Sequence, residues 1–262
     1  MIPGSRKSKL LQSGYVVCVL IFLFAPLALS AIYSFSYQRF PAFPVTEFSL
    51  RWYERAFSDG ALHAALLRSV IVSSIVAAIA VVIGFFGAYT DYRYRFFGKR
   101  FYIVLGLLPP TIPLVILGLG MLTSLSRLNL NGTLTGIVIS HVVFCTPFAL
   151  ALIRLRLAQM DRCLEPASWN LGVGQFVTLW RVVLRFCAPA ILAAALVVFA
   201  VSFDEFTIAW FVSGVEQTLP IRVLNLVERE ASPIVNVIGT ISAATTITLI
   251  GIAIFIVSRG RS

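Results

Sequence analysis

The sequence predicts an all-α membrane protein with six transmembrane helices and both termini in the cytoplasm. Three observations carry that prediction. The first is composition: 59% of the 262 residues are hydrophobic and 12% are charged, whereas soluble domains carry about 25% charged residues. The second is six apolar stretches, near 14–35, 69–90, 101–123, 133–153, 186–212 and 234–258. Each has close to the ~20 residues that a helix rising about 1.5 Å per residue needs to cross a hydrocarbon core of about 30 Å. The third is the placement of Lys and Arg. With the amino terminus inside, 14 of the 21 fall on cytoplasmic segments and 7 on outer ones, the bias that orients polytopic proteins.

The first stretch follows Arg6, Lys7 and Lys9, and its Ala28-Leu29-Ser30 resembles a signal-peptide cleavage site. Its apolar run from Tyr15 to Ile32 exceeds the ~7–15 residues of a signal core, so a retained helix is expected. In the outer segment that follows, Leu50, Tyr53 and Phe57 share one helical face after Ser49, a cap candidate. An interfacial helix with Trp52 at the headgroup level is expected there, lying on lipid or offering a docking surface. In the third stretch Pro109, Pro110 and Pro113 fall about 12–18 Å from its inner end, near the midplane. Prolines there either break the helix beside a cavity or kink it for packing. His141 in the fourth stretch reads as an interhelical hydrogen-bonding group or part of a polar path.

The outer loops carry six acidic residues, so the net charge of +10 is concentrated on the cytoplasmic side. Anionic lipid headgroups are the partner this implies, and nucleic acid is not. Cys18, Cys145, Cys163 and Cys187 contain no CxxC pair, which points to neither a disulfide framework nor a metal site. Gly98-Lys99 continues with Arg100, and Arg93 stands where a phosphate-binding loop has its first glycine. No catalytic residue, cofactor or metal is therefore assigned to the chain, which reads as one domain over 1–262.

The most informative segment runs from about 154 to 185 on the cytoplasmic side. Helix neighbours need only a handful of joining residues, so an insertion of this length has something to meet. Asp161 suits a new helix start, and residues 164–171 form a short helix. Gly172 supplies a left-handed stop, and Phe176, Leu179, Val182 and Val183 line a second helix. On physical grounds alone, a hairpin that anchors to lipid is the alternative.

The run Leu164-Glu165-Pro166-Ala167-Ser168-Trp169-Asn170-Leu171-Gly172 resembles the EAA loop of binding-protein-dependent ABC importer permeases, the element that docks into the ATPase. Aligned on Gly172, Pro166 takes the place of the motif's Glu, Ala167 and Ser168 take its two Ala positions, and Arg185 stands where Pro is usual. Glu165 is expected to supply the charge from the neighbouring position. Ser202-Phe203-Asp204-Glu205-Phe206, Phe211-Val212-Ser213-Gly214 and Leu108-Pro109-Pro110-Thr111-Ile112-Pro113 resemble the second permease of spermidine/putrescine-type importers. The resemblance spans nearly the whole chain. It implies the type I importer permease fold, a bacterial cytoplasmic membrane location, and assembly with a sister permease, two ATPase copies that use ATP, and an extracytoplasmic solute-binding protein.

Asp204 and Glu205 are the only carboxylates inside an apolar stretch, where ionisable groups are costly and face a watery cavity or a partner charge. Adjacent helical positions point about 100° apart, so one of the two can aim at a central path. With Phe203, Trp210, Pro110 and Pro113 they form the candidate substrate pathway, in which carboxylate and aromatic faces suit an ammonium group. An ion pair of Asp204 with Arg222 or with the sister subunit is the structural alternative. The expected solute is a small cation, polyamine first, with opines and aminophosphonates as other classes. A gradient-driven carrier working through Asp204, Glu205 and His141 is the second reading; the inner segment weighs against it, because such a carrier needs no docking element.

Overall fold

The structure, a computed structural model, describes residues 6–39, 44–45, 47–230 and 233–259; the side chains of Arg6, Lys7 and Lys9 lie outside the described residues. Regular structure among these residues is helical, apart from one isolated antiparallel bridge between Ser36 and Phe48. The chain forms two compact units. One comprises residues 1–60 and 223–245, the other 61–222 and 246–262.

In the first unit, α1 (Arg6–Ser34) turns at its end into the short helix α2 (Arg51–Ser58). The turn is held by Ser34 Oγ, 2.9 Å from the Tyr53 hydroxyl, and by the Phe35 ring stacked 5.0 Å from that of Tyr53. Leu50, not Ser49, stands at the N-cap of α2 and no side chain caps it; Ser49 Oγ instead accepts from the Arg51 amide in a local turn. Trp52 is 2% exposed, with the Arg51 guanidinium 4.9 Å over its ring, so it packs inside the unit instead of lying on lipid. A buried aromatic removes far more apolar surface from water than an interfacial one.

The second unit begins with α3 (Gly60–Arg93), whose 34 residues extend about 51 Å. It therefore overshoots the expected 69–90 span at both ends and carries Asp91 and Arg93 out of the hydrocarbon. The third stretch is divided. Helix α4 (Lys99–Leu107), a 3₁₀ turn at Pro109–Thr111 and α5 (Leu114–Arg127) replace one continuous span. Pro109 and Pro110 open the turn, where a missing N–H is harmless, and the Pro113 carbonyl accepts from Ile116 and Leu117 to start α5. Helix α6 (Leu134–Leu157) is capped by Thr133, whose side chain accepts from the Gly136 amide. It packs along the helix Leu184–Phe203 through the fully buried Ile137, Ile153, Cys187 and Val198.

After α6 come α7 (Leu164–Asn170), α8 (Gln175–Thr178), a π turn at Leu179–Val183, α9 (Leu184–Phe203) and α10 (Thr207–Val212). The expected fifth span of 186–212 is corrected at both ends. Helix runs without interruption from Gln175 to Phe203, then the chain breaks before α10. Helices α11 (Leu219–Glu230) and α12 (Ile234–Arg259) contribute residues to both units. Among the described residues five helices are long and apolar enough to span a membrane, and α5 is a shorter apolar one.

The topology set by Lys and Arg is tested by labelling Asn170→Cys and Glu216→Cys, both at exposed positions, with the exposed Cys18 and Cys163 replaced by Ser. Asn170→Cys is expected to react with an impermeant maleimide only in inside-out vesicles, and Glu216→Cys only in intact spheroplasts. The reverse pattern would place α7 outside the cell.

Candidate functional site

Two places concentrate the chemistry of the second unit: the break between α9 and α10, and the segment around α7. The first amides of any helix lack intrahelical acceptors, and inside a bilayer water does not supply them. At α10 the Glu205 carboxylate does: Oε1 accepts from the Ile208 amide at 2.9 Å and Oε2 from the Ala209 amide at 3.0 Å. Negative charge at a helix start is also favoured by the helix dipole. The same Oε2 lies 3.3 Å from His141 Nε2 of α6, while His141 Nδ1 is 2.9 Å from Ser202 Oγ of α9. Glu205, His141 and Ser202 are 6%, 1% and 3% exposed. Three helices are thus tied at one point by buried polar contacts.

That arrangement separates the adjacent carboxylates. Glu205 is turned into the packed subunit, whereas Asp204 is exposed at the end of α9 and accepts a 2.5 Å hydrogen bond from Thr246 Oγ1 of α12. Thr246 and Ser202 carried no assigned role in the sequence reading; a Thr245-Thr246 pair in an otherwise apolar stretch was the available signal for the former. Phe203 is buried and stacked 5.9 Å from Phe199, while Trp210 is exposed and set edge-on to Phe211. A Cβ at Gly118 of α5 would lie 2.6 Å from Phe211, so glycine there lets α10 pack against α5. Pro110 is half-buried and Pro113 exposed. The candidates therefore divide into an outward set, Asp204, Trp210 and Pro113, and an inward set, Glu205 and Phe203.

At the second place, Asp161 Oδ1 accepts from the Cys163 amide and turns the chain into α7. Pro166 occupies the first turn of α7, where amides have no intrahelical partner to lose. Glu165 is 3% exposed; it accepts from the Tyr89 hydroxyl at 3.1 Å and lies 3.4 Å from Arg93 Nε. The Arg93 guanidinium also covers the Trp169 ring at 4.7 Å. Glu165 thus fastens α7 to the inner end of α3, and its charge is not on the surface. Ser168 Oγ meets Thr178 Oγ1 at 2.9 Å, joining α7 to α8.

Helix α7 ends with the Gly172 amide bonded to the Trp169 carbonyl and the Val173 amide to the Ser168 carbonyl, a paired closure that requires a left-handed residue. Gly172 has φ +80 and an open surface around the position a Cβ would take. Pro166 and Ala167 are exposed, and Leu171, Phe176 and Trp180 offer large apolar side chains beside them, Leu171 at 84% exposure.

No family model matches the chain. It is 28% identical over 241 residues to the spermidine/putrescine transport system permease protein PotC of Haemophilus influenzae, covering 92% of this chain and 93% of that one. It is 31% identical over 229 residues to the putrescine transport system permease protein PotI of Escherichia coli, covering 84% and 81%. Among solved structures, a bacterial ABC transporter involved in the import of the acidic polysaccharide alginate matches with TM-score 0.69 at 17% identity over 99% of both chains. A bacterial alginate ABC transporter in complex with alginate pentasaccharide-bound periplasmic protein matches with TM-score 0.65 at 13% identity over 97% of this chain and 91% of that one. The fold is that of ABC importer permeases. The chain belongs to the permease family that includes PotC and PotI, and it is a multi-pass protein of the bacterial cytoplasmic membrane.

Leaving a buried polar group without its partner costs roughly 1–3 kcal/mol. His141→Ala should therefore lower the thermal unfolding midpoint of the detergent-purified protein strongly. Asp204→Asn, at an exposed position, should change stability by about 0.5 kcal/mol or less. Equal shifts in the two variants would show that the Glu205 cluster does not hold the break.

Proposed function

We propose that this chain is one of two permease subunits of an ABC importer that moves spermidine or putrescine inward across the cytoplasmic membrane. A sister permease completes the path, two ATPase copies bind and hydrolyse ATP, and an extracytoplasmic protein delivers the solute. The chain itself binds no cofactor. The observation that carries this reading is similarity to PotC and PotI along most of the chain, joined by an exposed carboxylate at a break in a membrane helix.

Polyamines are flexible chains bearing ammonium groups, and each ammonium leaving water needs a replacement for its hydration. A carboxylate at reduced dielectric supplies it, and an aromatic face adds a cation–π contribution. Asp204 and Trp210 are the exposed groups of that chemistry on α9 and α10, with Pro110 and Pro113 opening the backbone between α4 and α5. The Thr246 hydroxyl orients Asp204 and is displaced or shared when an ammonium arrives.

The cytoplasmic end supplies the drive. Pro166, Ala167, Ser168 and Gly172 present the docking surface for the ATPase, flanked by Leu171. Glu165 works from behind, keeping α7 fixed to α3 so that ATPase motion moves the subunit. The uninterrupted helix from Gln175 to Phe203 then links the docking surface to Asp204.

Asp204→Asn is expected to reduce labelled putrescine uptake at least tenfold while the ATPase still copurifies; full uptake would remove Asp204 from the path. Gly172→Arg meets a left-handed penalty of about 1 kcal/mol or more and a bulky charge at the docking surface. It should leave the protein in the membrane, abolish uptake and weaken ATPase copurification. Wild-type copurification with normal uptake would show that α7 is not the coupling element.

A further inference from the structure

At the cytoplasmic end of the second unit, a cavity of about 540 Å³ opens between α3, α4 and α6. A second, of about 240 Å³, shares Tyr92, Lys99 and Arg162 with it and extends to Pro166 and Trp169 of α7. Their common rim carries Arg93, Arg95, Lys99, Arg154 and Arg162, against Asp91 and Glu165. Asp91 is held by Arg154, whose Nε is 2.6 Å away, and by Lys99, while Glu165 is held by Arg93. Arg95 and Arg162 have no ion-pair partner among the described residues, and both are exposed. The trough therefore has an excess of positive charge with two free guanidinium groups on its rim.

Its floor is of the opposite character. Leu107, Ala151, Leu155 and Ala158 line the larger cavity. Beside the rim, the loop between α3 and α4 exposes Phe96 and Phe97, the latter fully, and Phe101 follows on α4. A site for a soluble anion has no use for an apolar floor and a fringe of exposed aromatic rings. A phospholipid uses all three: a phosphate for the guanidinium groups, acyl chains for the floor, and interfacial packing for the rings.

We propose that this trough binds the phosphate headgroup of an anionic phospholipid, with Arg95 and Arg162 as its charge contacts. Because Pro166 and Trp169 line the smaller cavity, the bound headgroup abuts α7, and membrane composition reaches the coupling element through it. Binding does not depend on which solute is transported.

The test is native mass spectrometry of the assembled transporter released from nanodiscs of phosphatidylcholine and phosphatidylglycerol in equal amounts. Wild type is expected to retain phosphatidylglycerol over phosphatidylcholine by about thirtyfold, from two guanidinium contacts at roughly 1 kcal/mol each at an anionic surface. The double variant Arg95→Gln/Arg162→Gln leaves the Asp91 and Glu165 pairs intact and should lose that preference. Arg181→Gln/Arg185→Gln removes two exposed charges elsewhere on the segment and should keep it. An unchanged preference in the first variant, or its loss in both, would overturn the assignment. Wild type alone supplies a further arm: millimolar glycerol 3-phosphate should not displace the lipid. Displacement would make the trough a soluble-phosphate site and refute the lipid reading.

Discussion

The Glu205 carboxylate satisfies the first free amides of α10 in a place where water does not. Much of the subunit's geometry depends on that contact. A helix that stops inside a bilayer exposes donors at the next start and acceptors at the last turn, and each buried, unmet group costs several kcal/mol. With Glu205 bonded to two amides and facing His141, α9 can end at Phe203, turn within three residues and resume at Thr207. Asp204, the residue at the turn, is left facing outward. A polar contact inside the subunit thereby creates an exposed carboxylate on its surface.

A second buried carboxylate does comparable work at the cytoplasmic end. Glu165 is enclosed by Tyr89 and Arg93, and its neighbours Pro166 and Ala167 are exposed in consequence. One helix, Gln175–Phe203, runs between the two fastened points. Its tight packing along α6 through residues as small as Ala149, Ala190 and Ala194 favours movement as a body over bending, since close-packed interiors transmit strain. That helix is the one continuous element between α7 and the break at Asp204 among the described residues.

The parts of this architecture that were legible in the sequence are those the bilayer imposes. Apolar stretches of spanning length and the left-handed Gly172 each follow from local composition. The proline break between α4 and α5 was readable too, because Pro109, Pro110 and Pro113 act on their own backbone. The interruption at 204–206 was not, since 186–212 is apolar enough to read as one span; its cause is a side chain meeting His141, which lies 64 positions earlier. Glu165 was expected to offer its charge outward and instead faces α3. Trp52 was placed at an interface by its residue type and is buried by its neighbours. In each case the missing information was a long-range contact, which periodicity does not encode.

The central claim is that transport through this subunit is driven by an ATPase acting on α7. Its most direct test is polyamine uptake into proteoliposomes containing the assembled transporter, with ATP supplied on the cytoplasmic side or an ion gradient imposed without ATP. Uptake is expected only with ATP and the binding protein, and it should be unaffected by a protonophore. Accumulation driven by the gradient alone, and abolished by the protonophore, would contradict the claim.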